Sequence, residues 1–531
     1  MKKFLFTPFL SFASQFIPIA IIFAAAVLIR YPIIFNSDHF FTADVGLMAN
    51  TIMNILEGGS IVFYYDYARY FGLTGGILAV PFMWVFGFNT MAFNLPATLF
   101  FSLYLWTLYL IAREVIPGMA FLVLMLMLIS PPFITQMTTN NWPHIASAFF
   151  GNLIFLLYIK IKLSGKKRGG IIFFLFFSMG LAIYTYTFSL IYISVVALLH
   201  ALSYPKWNAL RQRFCLASLA GWFKGQKTKT KVFVQILDVV IVLFLLVIVF
   251  SYVFGGFGLD IAGVSIFQVN NFHKPVFQIL AILVLRILIY RKDLLSYLKS
   301  VKDFISEEMP RETREFVGLG GAGILLGLSP RIASILTGET SRGGQGFDVD
   351  FSPIKLIAHL WDIIVRTLPK LFSLDSSFRD FNFTSIGSYG NVLGILAIPL
   401  LLLLFFSAAS FCSSRWNSLK SILTLQGVKF DPGNIYLLLP LLTCLANIFV
   451  QNGSEPRYLF PMFGTLVLFI GIFVNRFQKK FKGLPILVLV IWIGFYSMAT
   501  YKSYEDQGLV KGFEVIKLGK VEIYDLVEFL E

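Results

Sequence analysis

The stretch NSDHFFTADVGLMANTIMNILEGGSIVFYYDYARYFGLTGGILAVPFMWVFG, residues 36–87, is the first long polar interruption in this chain. It follows an apolar run, residues 12–35, that is long enough to cross a bilayer once. Lys2 and Lys3 precede that run and would hold its start in the cytoplasm. The stretch is therefore predicted to be an extracytoplasmic loop. It contains four acidic residues in a sequence that is otherwise poor in acids: Asp38, Asp44, Glu57 and Asp66.

The composition is that of a polytopic membrane protein. Of the 531 residues, 57% are hydrophobic and only 13% are charged, whereas soluble domains are about 25% charged. The net charge of +15 does not indicate nucleic-acid binding, because Lys and Arg occur in short clusters between apolar runs. The three cysteines are far apart and show no metal-ligand spacing, so neither a zinc site nor a disulfide is predicted.

The order of apolar runs and basic clusters predicts an all-α fold with about thirteen transmembrane helices. The clearest cluster, KIKLSGKKRGG at residues 160–170, has five basic residues and no acid. The apolar run at residues 73–86 is too short to cross, and we interpret it as an interfacial helix in the first outer loop. This topology places every dense basic loop in the cytoplasm. A cell (inner) membrane location is predicted, with the N-terminus cytoplasmic.

Several spans and connecting segments are predicted at defined places in the chain. Spans are predicted at about residues 95–112, 232–254 (the seventh) and 435–450, and the eighth span is predicted to end at Arg291. An outer turn is predicted near Tyr186. A basic stretch without acids, residues 206–231, is predicted to lie on the inner side.

Two domains are predicted from this topology. Residues 1–500 form the transmembrane domain, with a first outer loop at residues 36–94 and a second long outer region at residues 336–388. Residues 501–531 form a short extracytoplasmic tail.

The informative polar residues gather in the predicted outer segments, while the spans are nearly free of charge. Ion-coupled transporters usually carry ionisable residues at mid-membrane, so this distribution favours an enzyme that works at the interface. A transporter of lipid-linked glycans or polysaccharides remains an alternative, and an inactive membrane scaffold is a third reading.

The first loop has a recognisable order of elements. Asp44 is followed fourteen residues later by Gly58, then by an aromatic stretch at residues 63–72, and finally by Val-Phe-Gly at residues 85–87. This order resembles the first outer loop of the C-type glycosyltransferases. Within that superfamily the similarity is to family 39 and its bacterial relatives, the branch of protein O-mannosyltransferases, aminoarabinose transferases and lipopolysaccharide sugar transferases.

Two later segments resemble the same branch. SPRIASILTGET at residues 329–340 is similar to the outer end of a mid-chain span, and EPRYLFPMFGTLVLF at residues 455–469 is similar to an Arg-Tyr-Leu-x-Pro motif at a late span. The resemblance implies a transferase with its active site outside the cytoplasm. The partners would be a polyprenyl-phosphate sugar donor, a glycan, lipid or protein acceptor, and the bilayer, with no nucleic acid.

The resemblance also implies roles for particular residues. Asp44 matches the general base that takes a proton from the acceptor hydroxyl, with inversion at the anomeric carbon. Val45 stands where many relatives carry Glu, which leaves Asp38 as a rival for the catalytic role. The implied substrate-binding residues are Asp66, Arg69, Arg331, Glu455, Arg457 and Tyr458, of which Arg457 and Arg331 would stabilise the departing phosphate.

Several polar residues allow a structural reading as well. Arg457 and Arg331 could simply lie at the ends of spans, and Arg30 is expected to be structural. Asn140, Asn141 and Trp142 could contact sugar. His39 and His144, together with Asp38 and Asp44, could hold a divalent metal, although no cofactor is predicted.

Overall fold

The computed structural model describes residues 3–65, 68–164, 169–204, 208, 237, 239–241, 243–245, 247, 257–261, 264–269, 278–284, 311–337, 347–350, 353–374, 389–449, 455–512 and 514–519. Within these residues the chain is mostly helical. Asp66, most of the predicted basic stretch at residues 206–231, and most of the seventh and eighth predicted spans lie outside them.

The first half of the chain forms a succession of helices. In chain order they are α1 (Lys3–Phe35), α2 (Ala43–Leu56), α3 (Thr74–Phe86), α4 (Thr90–Val115), α5 (Ala120–Leu128), α6 (Pro132–Met137), α7 (Pro143–Ser164), α8 (Gly169–Thr185) and α9 (Leu190–Leu202). Short 3-10 turns lie at Ser37–Phe40, Pro117–Met119 and Thr187–Ser189.

The second half continues in the same manner. Its helices are α10 (Arg311–Gly327), α11 (Ser329–Leu336), α12 (Pro353–Asp362), α13 (Leu368–Leu371), α14 (Tyr389–Ser414), α15 (Trp416–Leu423), α16 (Ile435–Phe449), α17 (Phe460–Phe477) and α18 (Leu484–Asp506). A π-helical turn, Ile363–Thr367, joins α12 to α13, and 3-10 turns precede α16 and α17 at Pro432–Asn434 and Pro456–Leu459.

Six of the described helices are long and apolar enough to cross a membrane: Phe16–Phe35, Thr90–Val115, Pro143–Leu163, Ala397–Ser414, Pro456–Phe477 and Leu484–Asp506. Shorter apolar helices lie at Thr74–Phe86, Pro117–Leu128, Gly169–Thr185, Thr187–Leu202, Val317–Gly327 and Pro432–Ile448. The chain is thus a helical membrane protein, and the count of about thirteen crossings stays a prediction.

The end of α3 and the start of α4 are determined by two residues. Gly87 has φ +86°, a left-handed conformation that side chains rarely adopt, and it ends α3. The side chain of Asn89 accepts a hydrogen bond of 2.9 Å from the backbone N–H of Ala92 and so caps α4. The short helix predicted at residues 73–86 is therefore separate from the next span, which begins at Thr90 rather than at the predicted residue 95.

Three small sheets occur among the described residues, and the prediction of an all-α fold missed them. β1 (Tyr64–Tyr65) and β2 (Ala68–Gly72) form a hairpin in the predicted first outer loop. In the second sheet, β3 (Phe257–Ile261) pairs antiparallel with β4 (Val264–Val269) and parallel with β5 (Phe347–Asp350). The third sheet is a hairpin of β6 (Val510–Lys511) and β7 (Glu514–Val515).

Contacts between loops sort into two ends of the helix bundle. At one end, which we call the outer end, Thr42 after α1 meets Trp142 in the turn before α7, and His144 at the start of α7 meets the turn after α8 and the segment before α17. At the opposite end, the segment after α15 meets the end of α9, where Val428 N donates to Leu202 O at 2.9 Å. The predicted outer segments thus contact one another, and so do the predicted inner ones.

Helices α8 and α10 pack with almost no side chains between them. A Cβ on Gly323 would lie 2.5 Å from the carbonyl oxygen of Phe173, and one on Gly327 would lie 2.3 Å from that of Phe177. Such glycine contacts are typical of helix pairs in membranes. The contact brings α11, which follows directly, to the outer end beside the first loop.

Candidate active site at the outer end

Asp44 lies in the first turn of α2, on its exposed face. The opposite face is apolar, because Val45, Met48 and Ile52 are buried against α3 and the start of α4. No hydrogen bond or ion pair to the Asp44 carboxylate occurs among the described residues. A negative charge in the first turn also interacts favourably with the partial positive charge of the helix N-terminus. Asp44 is therefore an accessible carboxylate on a firmly packed helix.

Trp142 connects the start of α2 to the turn before α7. Its indole Nε1–H donates to Thr42 Oγ1 at 3.2 Å, two residues before Asp44. The adjacent Asn141 donates through Nδ2 to the carbonyl oxygens of Gly75 at 3.0 Å and Phe93 at 2.8 Å. Asn141 thus has a structural role, which argues against the sugar contact that its sequence context suggested.

Arg457 lies over the ring face of Trp142. The guanidinium carbon is 5.5 Å from the centre of the Trp142 ring and 5.4 Å from that of Tyr458. Glu455, which is exposed, forms an ion pair with Arg457. Arg457 therefore contacts the tryptophan that holds the Asp44 helix, and Glu455 and Tyr458, two further predicted substrate-binding residues, contact Arg457.

His144 lies within a group of aromatic side chains that we call the aromatic cluster: Trp142, His144, Tyr186, Phe188 and Tyr458. The imidazole is stacked on Tyr186 at 4.9 Å with an interplanar angle of 17°, and it is tilted against Tyr458 at 5.6 Å. Phe188 contacts both tyrosines, at 5.9 Å and 5.7 Å between ring centres. The predicted outer turn near Tyr186 thus contributes two members of the cluster.

Arg331 is buried at the start of α11, with its guanidinium carbon 5.8 Å from the centre of the Tyr64 ring. Tyr64 in turn makes an edge contact with Tyr184 at 5.7 Å, and the Tyr184 hydroxyl donates to the carbonyl oxygen of Phe63 at 2.9 Å. Arg331 is thereby attached to the β1–β2 hairpin. Arg69 lies on β2 of that hairpin, and Asp66 lies outside the described residues.

Tyr184 and Tyr186 place the two arginines in one region. Tyr184 contacts Tyr64, the ring over which Arg331 lies. Tyr186 belongs to the aromatic cluster, and another member of that cluster, Tyr458, contacts Arg457. Since these tyrosines are only two residues apart, the positions of both cations are linked through the end of α8. The structure therefore brings Arg331, Arg457 and the Asp44 helix to the same end of the bundle.

Asp38 has a different environment from Asp44. Its carboxylate is half-buried and accepts a hydrogen bond from the Thr90 hydroxyl, at the first residue of α4. Thr90 also contacts Ser37 at 2.8 Å between hydroxyl oxygens. Asp38 therefore ties the loop after α1 to α4, which is a structural role that does not require its carboxylate to reach substrate.

The segment after β7 binds the same loop. Leu518 N donates to Asn36 Oδ1 at 2.8 Å, and Asn36 Nδ2 donates to the carbonyl oxygen of Ile516 at 3.0 Å. The His39 ring nitrogen Nε2 lies 2.6 Å from the carbonyl oxygen of Gly519. Nothing in the sequence of residues 501–531 indicated this docking, because the contacts are made by backbone groups.

Arg30 is fully buried and is bonded to neutral groups. Its guanidinium donates to Thr138 Oγ1 at 2.8 Å and to Ser130 Oγ at 3.0 Å, and it lies 4.3 Å from the centre of the Phe101 ring. Arg30 thus fixes the turn before α7 to α1, as expected of a structural residue.

The described residues contain no group of three or more His, Cys, Asp or Glu that could hold a metal ion. His39 contacts a backbone carbonyl of the tail, while His144 belongs to the aromatic cluster. The structure thus assigns the two histidines to different surroundings. Sequence reasoning missed Trp142 and His144 as the residues that join the site together; the only signal was the Asn-Asn-Trp-Pro-His turn itself.

No protein-family model matches the sequence, and no curated protein matches it. Among solved structures, the chain is similar to the oligosaccharyltransferase of Archaeoglobus fulgidus in its crystal structure with Zn and sulfate, at 16% identity and a TM-score of 0.45. The match covers 96% of this chain and 55% of that one. The apo crystal structure of the same enzyme gives 15% identity, a TM-score of 0.43 and coverages of 92% and 56%. The chain thus spans little more than half the length of these enzymes. Similarity at this level identifies neither a family nor a function.

Proposed function

We propose that this chain is an integral-membrane glycosyltransferase that moves a sugar from a polyprenyl-phosphate donor to an acceptor hydroxyl on the extracytoplasmic face. One observation carries the proposal: Trp142 contacts Arg457 on its ring face and Thr42, beside the exposed Asp44, through its indole N–H. An accessible carboxylate and a guanidinium are thus positioned by the same side chain at one end of an apolar bundle.

The reaction needs a base and an anion-binding group. In the proposed step, Asp44 takes the proton of the acceptor hydroxyl as its oxygen forms a bond to the anomeric carbon. The bond from that carbon to the phosphate oxygen breaks, and the electron pair leaves with polyprenyl phosphate. A single displacement inverts the anomeric centre. Asp44 suits this role better than Asp38, whose carboxylate already accepts a hydrogen bond from Thr90.

The leaving phosphate gains negative charge, and we assign its stabilisation to Arg457 and Arg331, two cations at this end of the bundle. Both lie against aromatic rings, which fix the plane of the guanidinium. The Glu455 partner of Arg457 is exposed, and an exposed ion pair contributes little stability in water. A phosphate could therefore replace Glu455 at low energetic cost.

The buried charges of the bundle favour a transferase over a transporter. Among the described residues, the charged side chains that are fully buried are Arg30 and Arg331. Arg30 is bonded to hydroxyl groups, and Arg331 lies beside the first outer loop. A transporter would be expected to carry ionisable residues along a path through the bundle.

Asp44→Asn tests the proposal. The purified protein would be reconstituted in lipid nanodiscs. Labelled polyprenyl-phosphate monosaccharides would serve as donors and the glycans of a strain that lacks the gene as acceptors, and transfer of the label would be measured. Removing a general base lowers the rate by about 100-fold or more. Glu57→Gln, at the exposed far end of α2, is the matched control and should keep full activity.

Two results would contradict the proposal. Transfer by Asp44→Asn at the wild-type rate would exclude Asp44 as the base. Unchanged glycans in the deletion strain, together with movement of labelled glycolipid across vesicles by the wild type, would identify a transporter.

A further inference from the structure

His144 is held by the faces of its ring. Tyr186 stacks on the imidazole at 4.9 Å and Tyr458 lies against it at 5.6 Å. Contacts of this kind fix the plane of the ring but use none of its hydrogen-bonding capacity, because both ring nitrogens lie in the ring plane. The orientation of the nitrogen edge is therefore determined by packing alone.

Both imidazole nitrogens of His144 are shielded from solvent, and no described residue hydrogen-bonds to them. Leaving a buried polar group unbonded destabilises a folded protein, so most such groups in native proteins have a partner. A phenylalanine would stack on the two tyrosines without this cost. The histidine nitrogens thus indicate a hydrogen-bonding partner that the described chain does not supply.

A second polar group in the same turn has the same property. Asn140 is only 3% exposed, and its Oδ1 atom has no hydrogen-bond partner among the described residues. The adjacent Asn141, by contrast, donates two hydrogen bonds to backbone carbonyls. The amide of Asn141 is therefore used to build the site, whereas Oδ1 of Asn140 and the imidazole nitrogens of His144 are buried without a partner among the described residues.

Arg457 identifies the chemistry of the missing partner. It lies over Tyr458, the same ring that His144 contacts, so a bound phosphate on Arg457 would be close to the cluster. A phosphate oxygen accepts hydrogen bonds, and the Arg457 guanidinium can donate them. A neutral imidazole offers one donor and one acceptor, which matches a hydroxyl group. Hydroxyls next to a phosphate, against aromatic rings, are those of a phosphate-linked sugar.

We propose that His144 recognises the sugar of the donor by hydrogen bonding to one of its hydroxyl groups, with Asn140 as a second contact. This inference rests on the proposed function and specifies which part of the donor each group binds. Arg457 binds the phosphate, and His144 distinguishes a lipid that carries a sugar from one that does not.

The test compares two probes on the purified protein in detergent: undecaprenyl phosphate, and undecaprenyl-phosphate monosaccharides from a panel of common hexoses and pentoses. The variant His144→Phe keeps a flat ring for stacking and removes both nitrogens. We expect it to raise the dissociation constant of the preferred sugar lipid about 10-fold, the equivalent of one hydrogen bond. The dissociation constant of undecaprenyl phosphate should change by less than about twofold.

The matched control is His359→Phe. His359 also lies in a predicted outer region, but its Nδ1 atom is bonded at 2.8 Å to the carbonyl oxygen of Ile448. The His359→Phe variant should bind both lipids with the same affinity as the wild type. His144→Asn, which keeps one donor and one acceptor, should recover part of the preference for the sugar lipid, and melting temperatures check the fold of each variant.

The outcomes separate the two proposals. If the wild type prefers the sugar lipid and His144→Phe keeps that preference, His144 does not recognise the sugar and the proposed function stands. If His144→Phe loses affinity for both lipids, the histidine is a packing residue and the inference is wrong. If the wild type binds neither lipid, the proposed function is wrong, and the proposed role of His144 in sugar recognition is wrong as well.

Discussion

The guanidinium of Arg457 lies 5.5 Å above the ring of Trp142, and the indole N–H of Trp142 donates to Thr42 at 3.2 Å. Arg457 precedes α17 and Thr42 precedes α2, so one tryptophan joins two segments that are more than 400 residues apart. The position of the proposed base, Asp44, relative to the proposed phosphate-binding residue, Arg457, therefore depends on the Trp142 side chain.

Arg457→Lys should abolish most of the transferase activity even though the charge is kept. A lysine ammonium has no plane to stack on Trp142 and Tyr458 and cannot make a two-pronged contact with phosphate. We expect kcat/KM to fall about 100-fold, in the range of losing one transition-state contact. Glu455→Gln, which leaves the arginine in place, should change kcat/KM by less than about threefold. A fully active Arg457→Lys enzyme would exclude the stacked arginine from the reaction.

Arg30→Met should destabilise the protein. It keeps an unbranched side chain against Phe101 but removes the hydrogen bonds to Thr138 and Ser130. Bonds to a charged group contribute about 1.5–3 kcal/mol each, partly offset by the cost of burying the charge. The melting temperature in detergent should fall by several degrees. An unchanged melting temperature would show that the turn before α7 is held by other contacts.

Gly323→Ala should lower stability and Gly321→Ala should not, although both glycines lie in α10. A Cβ at position 323 would meet the Phe173 carbonyl oxygen at 2.5 Å, whereas one at position 321 meets nothing within 4 Å. We expect Gly323→Ala to lower stability and to reduce activity, because α10 leads directly to Arg331. Gly321→Ala should be neutral or should stabilise by up to about 1 kcal/mol, since alanine favours helix. Equal melting temperatures would argue against the close α8–α10 contact.

Asn36→Ala should loosen the segment that follows β7. The substitution removes the donor to Ile516 and the acceptor for Leu518. We expect faster proteolysis at residues 507–519 and faster hydrogen exchange in the loop at residues 36–42, measured by mass spectrometry. Asn50→Ala is the control, because Asn50 is exposed on α2 and forms no hydrogen bond with the described residues of the segment 507–519. Identical exchange in both variants would contradict the docking.

Much of the helical frame follows from local sequence. The predicted span at residues 435–450 corresponds to Ile435–Phe449, and the predicted outer turn near Tyr186 is the break between α8 and α9. Apolar length and helix-breaking residues suffice for such features, since neighbours in sequence decide them. The residues proposed for the site from family resemblance remain proposals, but the segments that carry Asp44, Arg331 and Arg457 lie at one end.

What the sequence did not predict depends on distant partners. β5 pairs in parallel with β3 across about 90 residues of chain, and no local pattern specifies such a register. The role of Trp142 required knowing that Thr42 and Arg457 both contact it. Backbone groups of Ile516 and Leu518 bind Asn36. Since every residue type carries a backbone carbonyl and almost every one an N–H, the sequence gives no sign of such contacts.

The bond between Leu518 and Asn36 joins residues separated by 482 positions in the chain. A ribosome synthesises the loop at residue 36 long before its partner exists, so this part of the outer end is completed only after helices α1 to α18 have been made. Translation products that stop before residue 518 would lack this support for the loop. Quality control in the membrane could therefore distinguish such products from copies that extend past residue 518 by how firmly this loop is held.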